Sequence, residues 1–345
     1  MIPFGKEEQA MRASREAVGK HSIVLLGGTG HVGETYIEKF LAEGLQVKIL
    51  ARSPKHVAER FPRAEVVRGS MMERDDVARV IEGADAVFLI TPIGGNNSPE
   101  PELKAAHTAI AAARVARLAH LIYASQLLPD RPTGVAILDA KVEIERMLAA
   151  SGVSWSSLCV GCYMDEWLGM APALLKTGVL LNPISSNRRF SFTCKEDVAR
   201  VAVELLQQGR ALNGTLDVIE PMARTLADAA ERIGQVLGRK VFACGRWPLL
   251  PLMQMAVPLF RRFKPILASK VILGTYFDKH GYVGNTKQMA EVLPGFEVTT
   301  LETYLRHVFK TGDKKNPKNQ AFQSERNIRK ARIDEISGGR SVLGP

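Results

Sequence analysis

Short apolar runs alternate with longer amphipathic segments through the first 160 residues of the chain. The apolar runs predict strands at 23–26, 46–50, 64–69, 86–90, 121–124 and 154–158. The segments between them predict helices at 34–43, 55–61, 74–82, 102–117 and 136–151. The run Ala86-Val87-Phe88-Leu89-Ile90 is apolar throughout, which is typical of a strand covered on both faces. The alternation predicts an α/β protein with a doubly wound parallel sheet and right-handed crossovers.

Changes in composition predict four regions. Residues 1–20 form a charged N-terminal leader, 21–160 a Rossmann core, 161–312 a smaller C-terminal substrate lobe with late Rossmann elements at about 188–218, and 313–345 a basic, flexible tail. The leader has no apolar h-region, so we expect no secretory signal. No uncharged apolar stretch reaches the length of about 18 residues that a transmembrane helix needs.

Residues 246–275 form a second conspicuous stretch. Apolar residues interrupted by Pro248, Pro251 and Pro258 precede the cationic sequence Arg261-Arg262-Phe263-Lys264. The prolines argue against one continuous helix. We interpret the stretch as a lid and pocket wall over a hydrophobic substrate; an anchor at a membrane surface is the alternative.

Composition adds limits to this picture. The 345 residues are 46% hydrophobic and 24% charged, as in an ordinary globular protein, and the net charge is +10. Only 6% of the residues are aromatic and no nucleic-acid fold signature is visible, so a nucleic-acid partner is not expected. Four cysteines indicate a reducing compartment, and we expect the cytoplasm.

A glycine-rich turn follows the first strand directly. It reads Gly27-Gly28-Thr29-Gly30-His31-Val32-Gly33 and precedes a predicted helix. Glycines at this spacing allow a tight turn and a close approach of the backbone to a pyrophosphate, whose charge the helix N-terminus favours. The turn therefore predicts a dinucleotide site that includes Gly27, Thr29, Gly30, His31, Val32 and Gly33. An ordinary tight connection between strand and helix is the alternative.

The end of the second strand indicates which dinucleotide binds. An enzyme that selects NAD places an acid there to hold the ribose 2′-hydroxyl, whereas this chain has Arg52 and Lys55 and no acid. A guanidinium can bind a 2′-phosphate through two hydrogen bonds. NADP is therefore the predicted cofactor, unless both cations are simply solvated loop charges.

Several later sequence segments resemble those of a known family. They include Glu82-Gly83-Ala84-Asp85, His120-Leu121-Ile122-Tyr123-Ala124-Ser125, Asp139-Ala140-Lys141 and Phe190-Ser191-Phe192-Thr193. In this order, with the glycine turn, the chain resembles the NmrA-like and isoflavone-reductase-like atypical short-chain dehydrogenases/reductases. The resemblance covers about residues 22–210 and implies a Rossmann fold and a reductase.

The resemblance also implies catalytic roles. The wider superfamily uses a Ser, a Tyr and a Lys, with the Tyr four residues before the Lys. Ser125 and Lys141 match, but the tyrosine position is Ile137, which cannot transfer a proton. We predict that Lys141 holds the nicotinamide ribose and takes part in catalysis with Ser125. A surface lysine paired with Glu145 is the alternative.

Three further positions complete the predicted cofactor site. Ser70 replaces the family's usual acid after Gly69 and can still hydrogen-bond an adenine edge. Thr91 follows the fourth strand, and Gly161 ends Leu158-Cys159-Val160-Gly161, where relatives usually carry an Arg-Pro pair. That loop is expected to line the nicotinamide end.

Two tyrosines are candidates for the missing proton donor. Tyr163 is favoured over Tyr123, because Tyr123 falls inside a strand; packing in the substrate lobe is the alternative for both. Cys159 and Cys162 form a C-x-x-C pair, but no second pair completes a zinc site. We therefore predict no metal and interpret the cysteines as packing residues.

Together these patterns predict an NADPH-dependent reductase of a small apolar or aromatic carbonyl, quinone or enone. The missing tyrosine leaves open a non-catalytic NADP-binding redox sensor or a structural subunit. A homo-oligomer or a regulatory protein partner is compatible with either, and peripheral membrane contact is not favoured. The fold alone does not decide among these functions, because one scaffold can host all of them.

Overall fold

All six predicted strands lie in one parallel sheet, and a later strand joins its edge. The computed structural model describes residues 21–30, 32–92, 98–128, 132–165, 177–182, 184–245 and 250–310. The strand order is β11-β6-β5-β4-β1-β2-β3. The strands are β1 (Ser22–Leu26), β2 (Gln46–Ala51), β3 (Glu65–Arg68), β4 (Ala86–Leu89), β5 (His120–Gln126), β6 (Trp155–Val160) and β11 (Gly214–Val218). The predicted doubly wound Rossmann sheet is confirmed.

Helices cover both faces of the sheet. Leu25, Phe88 and Ile122 pack towards one face, under the first helix and a late helix, whereas Leu26, Leu89 and Tyr123 pack towards the other. The helices of the first face are α1 (Gly33–Ala42), α2 (Pro54–Arg60) and α6 (Lys195–Gln207). The helices of the second face are α3 (Arg74–Ile81), α4 (Glu100–Val115) and α5 (Ala136–Ala150). Successive side chains of a strand point to opposite faces, so neighbouring residues of β5 serve different helical layers.

The smaller lobe is built on short strand pairs and helices around its own apolar cluster. Its strands are β7 (Cys162–Tyr163), β8 (Val179–Asn182), β9 (Arg189–Phe190), β10 (Phe192–Thr193), β12 (Arg224–Thr225) and β13 (Phe242–Gly245). Its helices are α7 (Leu226–Leu237), α8 (Leu250–Met255), α9 (Val257–Phe263), α10 (Pro265–His280), α11 (Gln288–Val292) and α12 (Leu301–Lys310). Thr225 and Asp228 form a capping box at the start of α7, and Gly238, at φ 65°, ends that helix.

One buried side chain ties this lobe to the carboxyl ends of the central strands. The Tyr282 hydroxyl donates to the Val160 carbonyl at 2.8 Å and accepts from the Leu127 amide at 3.1 Å. The lobe is thereby fixed directly beside the ends of β5 and β6, where a Rossmann sheet binds its ligands.

The described part of the 246–275 stretch contains two short helices followed by a long one. Pro258 lies in the first turn of α9 and Pro265 in that of α10, where a missing amide hydrogen costs no helical bond. No helix within the described ranges is both long and apolar enough to cross a membrane. The predicted leader, 1–20, and tail, 313–345, lie outside the described residues.

Candidate functional site

The glycine turn connects β1 to α1 through two backbone contacts that exclude a side chain. Gly27 has φ 85°, and a Cβ there would lie 2.1 Å from the Ile90 carbonyl oxygen. A Cβ on Gly33 would lie 2.3 Å from the Gly28 carbonyl oxygen. Both glycines are therefore needed for the protein's own packing, which brings the turn against the end of β4.

Gly30 differs from these two glycines. It is exposed, and the nearest atom to a Cβ built there is the Gly27 carbonyl oxygen, at 3.6 Å. Thr29 is exposed as well, while Val32 is half-buried at the start of α1 and His31 lies outside the described residues. Contacts within the described residues therefore do not require a glycine at position 30.

Two cations stand at the end of β2. Arg52 follows the strand and Lys55 lies in the first turn of α2, and both are exposed. Neither makes a hydrogen bond or ion pair with another part of the chain that the structure describes. Their donors are therefore available to an anionic ligand.

The third strand ends beside a carboxylate that the sequence pattern did not place there. The Ser70 amide donates to Asp76 of α3 at 2.9 Å, and the Ser70 hydroxyl accepts from the Met72 amide at 3.2 Å. The bond from the Ser70 amide, followed by that from Arg79, lowers the pKa of Asp76. Helix α3 thus supplies an acid beside Gly69 and Ser70.

Lys141 of α5 is buried in a cluster of polar side chains on the second face of the sheet. Its Nζ lies 2.8 Å from Glu102 Oε1 and 3.2 Å from the Tyr123 hydroxyl. Thr91, just beyond β4, donates to the same Glu102 oxygen at 2.6 Å. Lys141 is only 6% exposed and Glu102 only 1%. We call Thr91, Glu102, Tyr123 and Lys141 the Lys141 cluster.

Charge and burial oppose each other in this cluster. Burial alone lowers the pKa of Lys141, but its interactions with Tyr123 and Glu102 outweigh burial and raise that pKa. Burial raises the pKa of Tyr123 to about 12, against the opposing effect of the Lys141 charge. Lys141 is therefore charged and Tyr123 neutral at physiological pH, and Glu102 neutralises the ammonium.

Ser125 belongs to a different contact. Its hydroxyl donates to Glu145 Oε1 at 2.7 Å, and the Cys159 thiol lies 3.7 Å from the same oxygen. Burial raises the pKa of Glu145, which the hydrogen bond from Ser125 partly offsets. Although Glu145 follows Lys141 by one helical turn, it binds Ser125, and Lys141 binds Glu102.

Tyr163 lies on the opposite face of the sheet from Lys141. Its hydroxyl lies 2.8 Å from that of Tyr36 on α1, and the Lys195 ammonium lies 5.0 Å from the centre of its ring. Lys195, at the start of α6, pairs with Asp165 at 2.5 Å. We call Tyr36, Tyr163, Asp165 and Lys195 the Lys195 cluster.

These contacts show which neighbours each residue of the predicted catalytic set has. The structure does not bring Ser125, Lys141 and Tyr163 together: each hydrogen-bonds a different partner. The tyrosine beside Lys141 is Tyr123, which sequence reasoning ranked below Tyr163. Ile137 is buried one turn before Lys141, and its side chain has no ionisable proton to transfer. The alternative of a surface Lys141 paired with Glu145 is wrong as well.

Gly161 has a packing role that the sequence did not reveal. A Cβ there would lie 2.1 Å from the Ser191 carbonyl oxygen, and the Gly161 amide donates to the Thr193 hydroxyl at 2.8 Å. Thr193 in turn donates to the Val218 carbonyl at 2.6 Å. The close contact of Gly161, which links β6 to β7, with the Ser191 carbonyl accounts for this glycine without a ligand.

The cysteines do not assemble into a metal site. Cys159 and Cys194 are buried, Cys162 is half-buried and Cys244 is exposed. Burial is the largest of the effects that raise the pKa of Cys159. Among the described residues no group of three or more His, Cys, Asp and Glu side chains could hold a metal ion.

Comparison with known proteins places these observations in a family. The model of the NmrA-like family matches residues 19–305. A (4-alkanoyl-5-oxo-2,5-dihydrofuran-3-yl)methyl phosphate reductase from Streptomyces griseus is 32% identical, across 63% of this chain and 74% of its own. An NAD(P)H azoreductase from Xenophilus azovorans is 27% identical, across 64% of this chain and 75% of its own.

A solved structure gives the same fold. The NADPH-dependent quinone oxidoreductase of Escherichia coli, complexed with NADPH, superposes with a TM-score of 0.66 at 24% identity. The match covers 83% of this chain and 99% of the other.

Proposed function

The chain belongs to the NmrA-like family, and on that premise we propose that it binds NADPH and reduces a small quinone or enone. The observation that carries the proposal is the pairing of an unobstructed Gly30 turn with two free cations at the end of β2. Relatives named as NAD(P)H-dependent reductases support the same function, in agreement with the predicted oxidoreductase.

The residues present fit NADPH along the carboxyl edge of the sheet. The turn from Gly27 to Gly33 offers backbone amides to the pyrophosphate at the start of α1. Arg52 and Lys55 offer charges to the 2′-phosphate. Thr91 and Lys141, which both bind Glu102, would hold the nicotinamide ribose. When bound, the cofactor supplies the hydride.

The choice of acceptor follows from the placement of the two candidate tyrosines. Reduction of a simple ketone leaves an alkoxide, so catalysis needs a proton donor such as the superfamily's tyrosine. Reduction of a quinone leaves a phenolate, whose basicity resembles that of tyrosinate, with a pKa of about 10. Such an anion can take its proton from water. Tyr123 is fully buried with a raised pKa, and Tyr163 lies across the sheet.

In this mechanism Lys141 acts by its charge. The ammonium would stabilise negative charge that develops on the acceptor, and it would hold the ribose hydroxyls of a bound cofactor. Glu102 and Thr91 hold it in place within the Lys141 cluster. Such preorganised charge is most effective where water is excluded.

A second candidate function is favoured by one observation. Lys141 donates to Glu102 and Ser125 donates to Glu145, so both side chains that match the superfamily are already bound to carboxylates. That arrangement suits a protein that binds NADPH without turnover and signals its redox state to a partner.

An acceptor panel separates the two functions. We expect the protein to oxidise NADPH with quinones and enones and much more slowly with simple ketones. Gly30→Val should abolish NADPH binding and turnover while leaving the protein folded, because no protein atom lies close to that Cβ. NADPH binding without turnover on any acceptor would favour the sensor, and unchanged binding in Gly30→Val would place the phosphates elsewhere.

Cofactor selectivity tests the cations at the end of β2. Arg52→Ala should weaken NADPH binding by about 1–3 kcal/mol, the contribution of a charged hydrogen bond, and leave NADH binding unchanged. Arg63→Ala, an exposed cation on another loop, is the matched control. Titration of tryptophan fluorescence measures both, and equal losses for the two cofactors would contradict a 2′-phosphate contact.

A further inference from the structure

The lobe carries an apolar stripe that faces solvent on α8 and α9. Met255 is 80% exposed, Phe263 68%, Leu252 61% and Leu259 58%. These four are half of the large hydrophobic side chains with such exposure in the described residues, gathered within 12 positions. Such a concentration of exposed apolar surface marks an interaction site.

The stripe keeps helical spacing across the break between the two helices. Its residues follow one another by three, four and four positions. The Ala256 amide donates to the Leu252 carbonyl at 3.0 Å, and the Phe260 amide to the Ala256 carbonyl at 2.9 Å. These two bonds meet at Ala256 and join the last turn of α8 to the first turn of α9, although Pro258 has no amide hydrogen to donate. We call the side chains of Leu252, Met255, Leu259 and Phe263 the α8–α9 ridge.

The ridge is held on α10. Gln254 Nε2 donates to Thr275 of α10 at 3.0 Å, and α10 buries Ala268, Val271 and Phe277 in the lobe. Helix α9 has no buried residue. A lid closed over a substrate would bury these apolar side chains, so the expected lid does not describe the ridge.

The sequence around the ridge carries charge of one sign only. From Arg232 to Phe277 the sequence contains no Asp or Glu and eight Lys or Arg, at positions 232, 239, 240, 246, 261, 262, 264 and 270. Arg261, Arg262 and Lys264 are exposed beside Phe263. Aliphatic and aromatic side chains flanked by cations match the acyl boundary and headgroups of an anionic bilayer.

We propose that the α8–α9 ridge docks the protein on an anionic membrane surface, with Leu252, Met255, Leu259 and Phe263 inserted below the headgroups. The three cations Arg261, Arg262 and Lys264 contact lipid phosphates. A second copy of this chain fits less well, because a two-fold contact would bring these cations against each other. The proposal is independent of the proposed reductase function.

Sedimentation with vesicles tests the docking surface. We expect the full chain to bind vesicles of phosphatidylglycerol and phosphatidylcholine at low salt, to bind pure phosphatidylcholine at least tenfold less, and to release as salt rises. Leu259→Glu/Phe263→Glu should reduce binding at least tenfold. Arg261→Gln/Arg262→Gln/Lys264→Gln should reduce it and flatten the salt dependence.

Matched variants control for general effects of charge and surface. Val115→Glu/Met222→Glu introduces two acids at other exposed apolar positions, and Arg63→Gln/Lys104→Gln/Arg114→Gln removes three exposed cations elsewhere. Both should bind vesicles like the wild type. Circular dichroism verifies that each variant is folded, which exposed substitutions should leave unchanged.

Three results overturn the proposal. The first is no binding to anionic vesicles. The second is equal loss in the ridge variants and their matched controls, which assigns binding to the overall positive charge. The third is a wild-type dimer that Leu259→Glu/Phe263→Glu converts to a monomer without any vesicle binding, which assigns the ridge to a second copy.

Discussion

Two buried lysines lie on opposite faces of the central sheet, and each has a carboxylate and a tyrosine beside it. Lys141 lies among Glu102, Tyr123 and Thr91 between the sheet and the α4–α5 layer. Lys195 lies beside Asp165 and the Tyr163 ring, under α1 on the other face. The side-chain types are the same, but the surroundings are not.

The two clusters differ in how far water reaches their carboxylates. In the Lys141 cluster the lysine side chain is 7% exposed and its carboxylate partner 1%, whereas Asp165 of the Lys195 cluster is 20% exposed. A buried ion pair has lost its hydration and depends on its protein partners to stabilise both charges, whereas a partly exposed pair keeps part of its hydration. The Lys141 cluster is thus more sensitive to the loss of one charge and better suited to act on a reaction.

The largest expected effect is on stability. Lys141→Met leaves the Glu102 carboxylate buried and unpaired, and should lower the free energy of unfolding by about 3–5 kcal/mol. Lys195→Met leaves an acid that water still reaches, and should cost about 1–3 kcal/mol. Urea denaturation measures both. Equal losses would mean that the two clusters do not differ in solvation.

The titration of His120, at the amino end of β5, gives a reference for the pH dependence of stability away from both clusters. His120 is buried with Nε2 2.9 Å from the Ser156 hydroxyl, and burial lowers its pKa to about 4. The folded state then binds fewer protons than the unfolded state below pH 6.5. Stability should therefore fall as pH drops from about 6.5 to about 4, by up to about 3 kcal/mol from this group.

Variants isolate this contribution. His120→Asn should flatten that acid limb in urea denaturation, whereas His56→Asn should not, because the His56 side chain is 88% exposed. An unaltered slope in His120→Asn would contradict the assignment.

Charge-compensated double variants separate chemistry from stability. Glu102→Gln/Lys141→Met removes the ammonium without leaving a buried charge, and kcat with a quinone should fall about 10²-fold while NADPH affinity changes by about threefold or less. Asp165→Asn/Lys195→Met should leave kcat within about threefold of the wild type. Steady-state kinetics and fluorescence titration measure the two quantities. Similar kcat losses in both would remove the catalytic distinction between the clusters.

The sequence predicted the sheet and the glycine turn after its first strand because those features are local. Apolar runs identify buried strands, and a glycine turn between strand and helix carries its geometry with it. The Lys141 cluster joins α4, β5 and α5, and Glu102 looked like an ordinary acid in the first turn of a helix. Its burial depends on packing over 39 positions of chain, which no local pattern reports.

Tyr123 is a second case in which a local pattern did not report the packing. Its place inside β5 counted against a role, yet the alternation of β5 directs it to the face where α5 carries Lys141. Tyr163 follows the end of β6 and looked available, but its hydroxyl lies against that of Tyr36. Knowing the face of the sheet on which each helix lies would have placed Tyr123, and not Tyr163, beside Lys141.

The smallest expected effect comes from restoring the superfamily tyrosine. Ile137→Tyr would raise ketone reduction if Ser125 and Lys141 already acted on a common oxygen. In the structure Ser125 donates to Glu145 and Lys141 donates to Glu102, so a hydroxyl at position 137 finds neither side chain free. We therefore expect no measurable ketone reduction from Ile137→Tyr alone, with quinone turnover and thermal stability as controls for a folded enzyme. A clear gain in ketone reduction would show that the Lys141 cluster opens when NADPH binds, and would make the sealed ion pair a resting state.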